Sequence, residues 1–203
     1  DAARAGSKVP AIGAVIMRGG AVEAQAVSGL RQIGGKSQVG QDDVWLIGST
    51  GKVMTVAMIA RLVERGVLSW EQPLDAMLPE LAAAMRPEYR KATLVQLLSH
   101  RSGLPRDLRN DKTMVKFFAD ARPTGQQRLG FVAASLKDKP ETAPGSFGYS
   151  NAGFIVATVI AEKVTGESYE ALMQKEVFAP LGMRRIGFGN TGKGQNRGHQ
   201  RGK

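Results

Sequence analysis

Apolar residues along this chain fall into two regimes. Near the start they form short stretches rich in valine, isoleucine and alanine, whereas from about residue 51 they recur at three- and four-residue spacing. The first regime predicts two strands, at residues 11–17 and 21–28, joined through Arg18-Gly19-Gly20, a tight-hairpin signal because paired glycines accept positive φ. A further apolar run, Val44-Trp45-Leu46-Ile47, reads as buried and strand-like before Gly48 turns the chain into a helix. The second regime predicts that helix over residues 53–63, then short helical pieces near 75–85, 94–99, 114–119 and 126–136, separated by turns bearing Pro or Gly. Two more helices are expected at 151–164 and 169–178, with Pro180-Leu181-Gly182 breaking the last. The run from 154 to 161 is far shorter than the roughly 20 residues a membrane span needs, so it is read as a core helix. Methionines such as Met54 and Met58 sit at helical apolar positions and read as core. No internal repeat is present, and no extended low-complexity tract occurs before residue 186. The pattern describes an α/β arrangement with a nearly complete helical lobe and only the first strands of a sheet.

The helix start after Gly48 carries candidate chemistry, Ser49-Thr50-Gly51-Lys52. A serine hydroxyl needs a neighbouring base to act as a nucleophile, and residues three apart on a helix share one face. An amine drawn into an apolar site loses the solvation of its charged form, its pKa falls, and it can take up a proton near neutral pH. The helix N-terminus also offers backbone N–H groups to a developing oxyanion. The alternative is an N-cap serine followed by a solvated lysine. About a hundred residues on, Pro144-Gly145-Ser146-Phe147-Gly148-Tyr149-Ser150-Asn151 reads as a loop entering a helix. A phenol beside a cation can serve as base or proton relay, and an asparagine amide can donate to a substrate carbonyl while accepting from an ammonium. Here the alternative is a turn asparagine capping the next helix beside a packed tyrosine.

These two elements together resemble the serine β-lactamases and penicillin-recognising enzymes, in particular the class C β-lactamase branch with its related esterases and D-peptidases. Ser49 to Lys52 is similar to the family's Ser-x-x-Lys motif, and Tyr149 to Asn151 to its Tyr-x-Asn motif. Val9-Pro10-Ala11-Ile12-Gly13-Ala14-Val15-Ile16, Leu62-Val63-Glu64-Arg65-Gly66-Val67-Leu68, Leu94-Val95-Gln96-Leu97-Leu98-Ser99-His100-Arg101-Ser102-Gly103-Leu104-Pro105 and Pro180-Leu181-Gly182-Met183 also resemble family segments, in family order. The resemblance implies a β-lactamase/transpeptidase-like fold. It implies a serine acyl hydrolase in which Ser49 attacks, Lys52 and Tyr149 move protons, and Asn151 binds substrate. The substrate would be a β-lactam, a small ester or a D-peptide, and no cofactor or metal is called for. The location implied is periplasmic or secreted, with the cytoplasm left open. One departure stands out. The family's third motif, Lys-Thr-Gly or a His-x-Gly relative on a downstream strand, has no counterpart after Tyr149. The chain is therefore expected to be truncated, lacking the remaining antiparallel strands, and open to self-association or to completion by a C-terminal segment. The rival expectation is a catalytically incomplete member that binds such ligands or a partner without turnover.

Composition adjusts this picture little. The 203 residues are 42% hydrophobic and suit one domain over 1–185, followed by a basic, glycine-rich and flexible tail at 186–203. Cysteine is absent, which removes disulfides and thiolate chemistry. The net charge of +10 is concentrated at the end, where Arg184, Arg185, Lys193, Arg197, Arg201 and Lys203 meet no acidic residue. With Phe188 as that stretch's one aromatic, nucleic acid is not the expected partner. The stretch from Gly187 to Gly194 approaches a phosphate loop but has Gly194 where a hydroxyl should hold magnesium. His199 has no ligand-spaced companion, so no metal site is expected. His100 lies beside Ser99 and Ser102, yet in the resembling segment it belongs to a structural turn and reads as a supporting histidine rather than a Ser-His pair.

Overall fold

The computed structural model describes residues 2, 4, 6–189, 191, 192 and 195 and divides them into two compact units. The first holds the described residues of 1–49 and 184–203; the second is Thr50–Met183.

In the first unit, β1 (Ala11–Arg18) and β2 (Ala21–Gly29) pair antiparallel, Ala11 opposite Gly29 and Arg18 opposite Ala21, with an irregularity in register between Ile16 and Met17. Gly19 and Gly20 both take positive φ, at 56° and 81°, which is what a two-residue hairpin turn demands. At the far end Gly29 sits at φ 112°, where a Cβ would stand 2.2 Å from the Pro10 carbonyl oxygen, so only glycine fits this close approach. The following loop is tied by a bidentate pair, Arg31 Nε and Nη2 to Asp43 at 2.8 Å each, and the guanidinium holds the Asp43 carboxyl below its usual range. Arg185 donates to Asp42, and the Val44 N–H donates to Gln195 Oε1 at 3.0 Å.

One expectation fails here. Val44-Trp45-Leu46-Ile47 is neither strand nor buried; its side chains are 37–52% exposed. β1 and β2 hydrogen-bond to each other, and among the described residues no third strand flanks the run to pair its backbone. Trp45 instead lies against β1, its Cζ2 3.4 Å from where a Gly13 Cβ would be.

In the second unit, α1 (Gly51–Glu64) buries Thr55, Met58, Ile59 and Leu62, a stripe at the three- and four-residue spacing read from the sequence. The expected piece at 75–85 is two short helices, α2 (Leu74–Met77) and α3 (Pro79–Ala82), because Pro79 has no N–H to continue α2 and starts a new helix instead. α4 (Leu94–Leu98) begins with a capping box between Thr93 and Gln96. α5 (Asp111–Phe118) is capped by the Asn110 side chain, and α6 (Thr124–Ser135) follows. α7 (Asn151–Thr165) is the centre of the unit, buried along most of its length from Ala152 to Ala161 and packed on α1, α4 and α6. Its start is capped by Ser150 Oγ, which accepts from the Gly153 N–H at 2.9 Å, and its end by Gly166 at φ 71°. α8 (Tyr169–Met173) then widens into a π-helical turn, Gln174–Phe178. That turn buries Glu176 against Arg61 and Arg65 of the α1 end, while Arg128 of α6 bridges Glu162 of α7 and Glu170 of α8. Among the described residues no helix is long and apolar enough to cross a membrane.

Candidate active site

Two loops of the second unit are sewn together before they present any functional group. The Glu141 N–H donates to the Gly103 carbonyl at 2.9 Å, the Gly145 N–H to the Arg101 carbonyl at 2.7 Å, and the Gly148 N–H to the His100 carbonyl at 2.8 Å. The Ser150 hydroxyl donates to the Pro105 carbonyl at 2.8 Å, and the Asn151 N–H to the Arg106 carbonyl at 2.8 Å. The segment after α4 therefore fixes the segment that enters α7, and with it Tyr149 and Asn151.

Lys52, the second residue of α1, reaches this entry. Its Nζ donates to Asn151 Oδ1 at 2.7 Å and lies 5.0 Å from the Tyr149 ring centroid and 5.4 Å from that of Phe154. Two aromatic faces and an amide oxygen thus surround the ammonium, an arrangement that attracts a cation and fixes its direction. Asn151 is held from its other side as well, Nδ2 donating to Asp107 Oδ1 at 3.1 Å. An amide with its oxygen on an ammonium and its nitrogen on a carboxylate has one stable orientation. The Arg106 guanidinium covers Tyr149 at 5.1 Å, and the His100 ring stacks against it with centroids 4.4 Å apart.

Lys52, Tyr149 and Asn151, a hundred residues apart in sequence, are therefore brought together. Ser49 is the middle residue of the 3-10 turn Gly48–Thr50 that leads into α1; it belongs to the first unit and is exposed. The N-cap position of α1 is Thr50, not Ser49, and it makes no side-chain cap. Asn151 is the first residue of α7, whose cap is Ser150. The N-cap positions of the two helices are thus Thr50 and Ser150, and neither Ser49 nor Asn151 occupies one.

Sequence reasoning passed over Asp107 and Arg106. They lie just past the segment that ends at Pro105, and no spacing rule links a carboxylate there to an asparagine 44 residues later. His100 was singled out only as a supporting residue, yet it touches Tyr149 directly and sits at φ 61°, a backbone conformation unusual for a residue with a side chain. Burial and the nearby Lys52 charge lower its pKa below the ordinary imidazole value. Among the described residues no group of three or more His, Asp or Glu side chains gathers to hold a metal, and His199 lies outside them. Residues 186–189, 191, 192 and 195 form neither helix nor strand; the rest of the basic stretch beyond 186 also lies outside the described residues.

The family model described as Beta-lactamase matches residues 1–203. Penicillin-binding protein 4 from Amycolatopsis lactamdurans is 28% identical over 188 residues, covering 90% of this chain and 46% of its own length. The D-alanyl-D-alanine-carboxypeptidase/endopeptidase AmpH from Escherichia coli K12 is 31% identical over 144 residues, covering 70% of this chain and 36% of its own. A solved structure of a class C beta lactamase from Rhodobacter sphaeroides matches with a TM-score of 0.68 at 25% identity, over 89% of this chain and 47% of that one. The chain spans less than half the length of each of these three.

Proposed function

Because this chain belongs to the Beta-lactamase family, whose members are serine hydrolases, we propose that it carries the acylating residues of a serine acyl hydrolase. Ser49 Oγ attacks the carbonyl carbon of a β-lactam, a small ester or a D-peptide, and its proton passes to Lys52 and Tyr149 acting together. The carbonyl π electrons move to oxygen; on collapse the C–N or C–O bond breaks and the amine or alcohol takes back a proton from the same pair, leaving the site from an ester or peptide and staying attached to the acyl group in an opened β-lactam. Asn151 holds Lys52 in place and offers its amide to the substrate. Water, deprotonated by Tyr149, then cleaves the acyl-enzyme and restores Ser49. The observation that carries this reading is the Lys52–Asn151 hydrogen bond beside the Tyr149 ring, because it supplies an oriented amine, three residues along the chain from Ser49, next to a phenol. Export to the periplasm or the medium is part of the same proposal and rests on the family resemblance.

Labelling tests it. Incubation with a fluorophosphonate or a penicillin should attach one adduct to Ser49, located by mass spectrometry, and Ser49→Ala should abolish it. An adduct on Ser99, Ser102 or Ser150 would overturn the assignment. A Ser49 acyl adduct, from penicillin and from an ester substrate alike, that never turns over would favour a binding member of the family over a hydrolase; the phosphonyl adduct is irreversible in either case and reports only which serine is activated.

A further inference from the structure

His100 holds the backbone on both sides of Tyr149. Its carbonyl accepts from the Gly148 N–H at 2.8 Å, and its Nδ1 accepts from the Ser150 N–H at 3.1 Å. Its ring, meanwhile, lies 4.4 Å from the Tyr149 ring and is packed on Phe154 at 5.2 Å and edge-on to Phe147 at 5.9 Å. His100 makes both contacts from the left-handed region of backbone space, at φ 61°. We propose that His100 is the positioning residue for Tyr149: its backbone carbonyl holds Gly148 on one side of the tyrosine, its neutral imidazole holds Ser150 on the other and backs the Tyr149 ring, and protonation at Nδ1 releases the Ser150 side and opens the clip.

The proposal rests on the catalytic reading of Tyr149 and adds a requirement to it. A ring nitrogen that accepts from a backbone N–H must be unprotonated, so the clip needs the neutral tautomer with its proton on Nε2. The charged and titratable groups that bear on the ring are Tyr149, stacked on it from the loop entering α7, and Lys52 of α1, whose charge acts on it; Arg106 lies over the Tyr149 ring, Asp107 is bound to Asn151, and Arg101, next in the chain, turns its guanidinium to the Gly145 carbonyl at 2.9 Å. Burial and the Lys52 charge both disfavour imidazolium, which keeps the clip closed at neutral pH. The sign follows. The unfolded chain takes up a proton at the ordinary value of about 6.5 while the folded chain resists, so the clip's contribution is full above that pH and is lost as pH falls through the lower, folded value.

Two substitutions separate the roles, because each tolerates the positive φ. His100→Asn keeps an acceptor oxygen near the Nδ1 position but has no proton to gain. His100→Gly removes acceptor and ring together. Acylation of Ser49 by a fluorophosphonate, followed against pH, should show an acid limb in the wild-type protein that is absent from His100→Asn. His100→Gly should be slower at neutral pH by roughly tenfold, the scale of one lost hydrogen bond, and slower than His100→Asn. Superimposable acid limbs in wild type and His100→Asn, or wild-type rates in His100→Gly, would overturn the proposal. A second readout needs no activity and no variant. In nitrogen-labelled wild-type protein Nδ1 should resonate as an unprotonated acceptor at neutral pH, and the Ser150 amide should titrate with His100. An Nδ1–H tautomer, or a Ser150 amide indifferent to His100, would refute the clip. Absence of any Ser49 adduct in the wild type would instead refute the catalytic reading, leaving the spectroscopic result to decide the clip.

Discussion

Replacing Asp107 by alanine isolates the outer end of the Lys52–Asn151–Asp107 chain. Asn151 donates to the Asp107 carboxylate at 3.1 Å and accepts from Lys52 at 2.7 Å, so the carboxylate is half of what fixes the amide. A hydrogen bond to a charged acceptor contributes about 1.5–3 kcal/mol when shielded from water. Asp107 is not shielded: its side chain is 39% exposed and Arg106 Nε stands 3.8 Å away, so water and the guanidinium compete for it. A value below that range, about 1 kcal/mol, is the appropriate one, equivalent to roughly a fivefold change in the population of the correctly oriented amide. Lys52 still opposes the flipped amide, which would turn an NH2 group toward Nζ, and this keeps the loss modest. Asp107→Ala should therefore lower the rate of Ser49 acylation about fivefold. Asn151→Ala, which removes the Lys52 acceptor itself, should cost about a hundredfold, the scale of a lost positioned donor or acceptor at a reacting centre. Stopped-time labelling with a fluorophosphonate read by mass spectrometry measures both, with a thermal melt to show that the fold persists. Wild-type acylation in Asp107→Ala beside a strongly impaired Asn151→Ala would refute an orienting role for the carboxylate. Equal losses in the two variants would show that Asp107 does more than orient the amide.

Two further outcomes concern the scaffold. Glu176 is 3% exposed and accepts from Arg61 at 3.3 Å and from Arg65, both of which are about half exposed and can turn to water; Glu176→Ala should cost about 2–3 kcal/mol by urea denaturation, and a loss below about 0.5 kcal/mol would show that the pairs contribute nothing net. A Cβ on Gly153 would stand 3.1 Å from the Leu97 carbonyl oxygen, so Gly153→Val should destabilise by about 1–3 kcal/mol through overpacking of α7 on α4, and an unchanged denaturation midpoint would show that the two helices separate freely.

The sequence announces its helices wherever one apolar stripe suffices. Thr55, Met58, Ile59 and Leu62 lie on one face of α1 because a 3.6-residue repeat has a single solution in helical form, and α7 is nearly all apolar because it is packed on several sides. The hairpin is equally local, since two adjacent glycines in the turn leave few other ways to connect alternating strands. Val44-Trp45-Leu46-Ile47 has the same composition as a buried strand and is not one, because pairing depends on a neighbour and not on the run itself. The expected piece at 75–85 is split because a proline start redirects the backbone within a stretch whose periodicity looks continuous; residues 169–178 are helical as expected, with a widening to a π-helical turn after Met173 that periodicity does not announce.

For the candidate site, the sequence by itself determined the cast. Ser49 and Lys52 are three apart at a helix start, and Tyr149 and Asn151 are two apart at another; residue type and spacing are local properties that a reader of the chain can see. Tertiary structure decided who touches whom. The Lys52–Asn151 bond, the Asp107 carboxylate behind Asn151 and the His100 clip around Tyr149 all join residues 44 to 99 positions apart or close through backbone groups that every residue carries. Such contacts leave no periodic trace in the sequence, because they are selected by the path of two loops and not by the face of one helix.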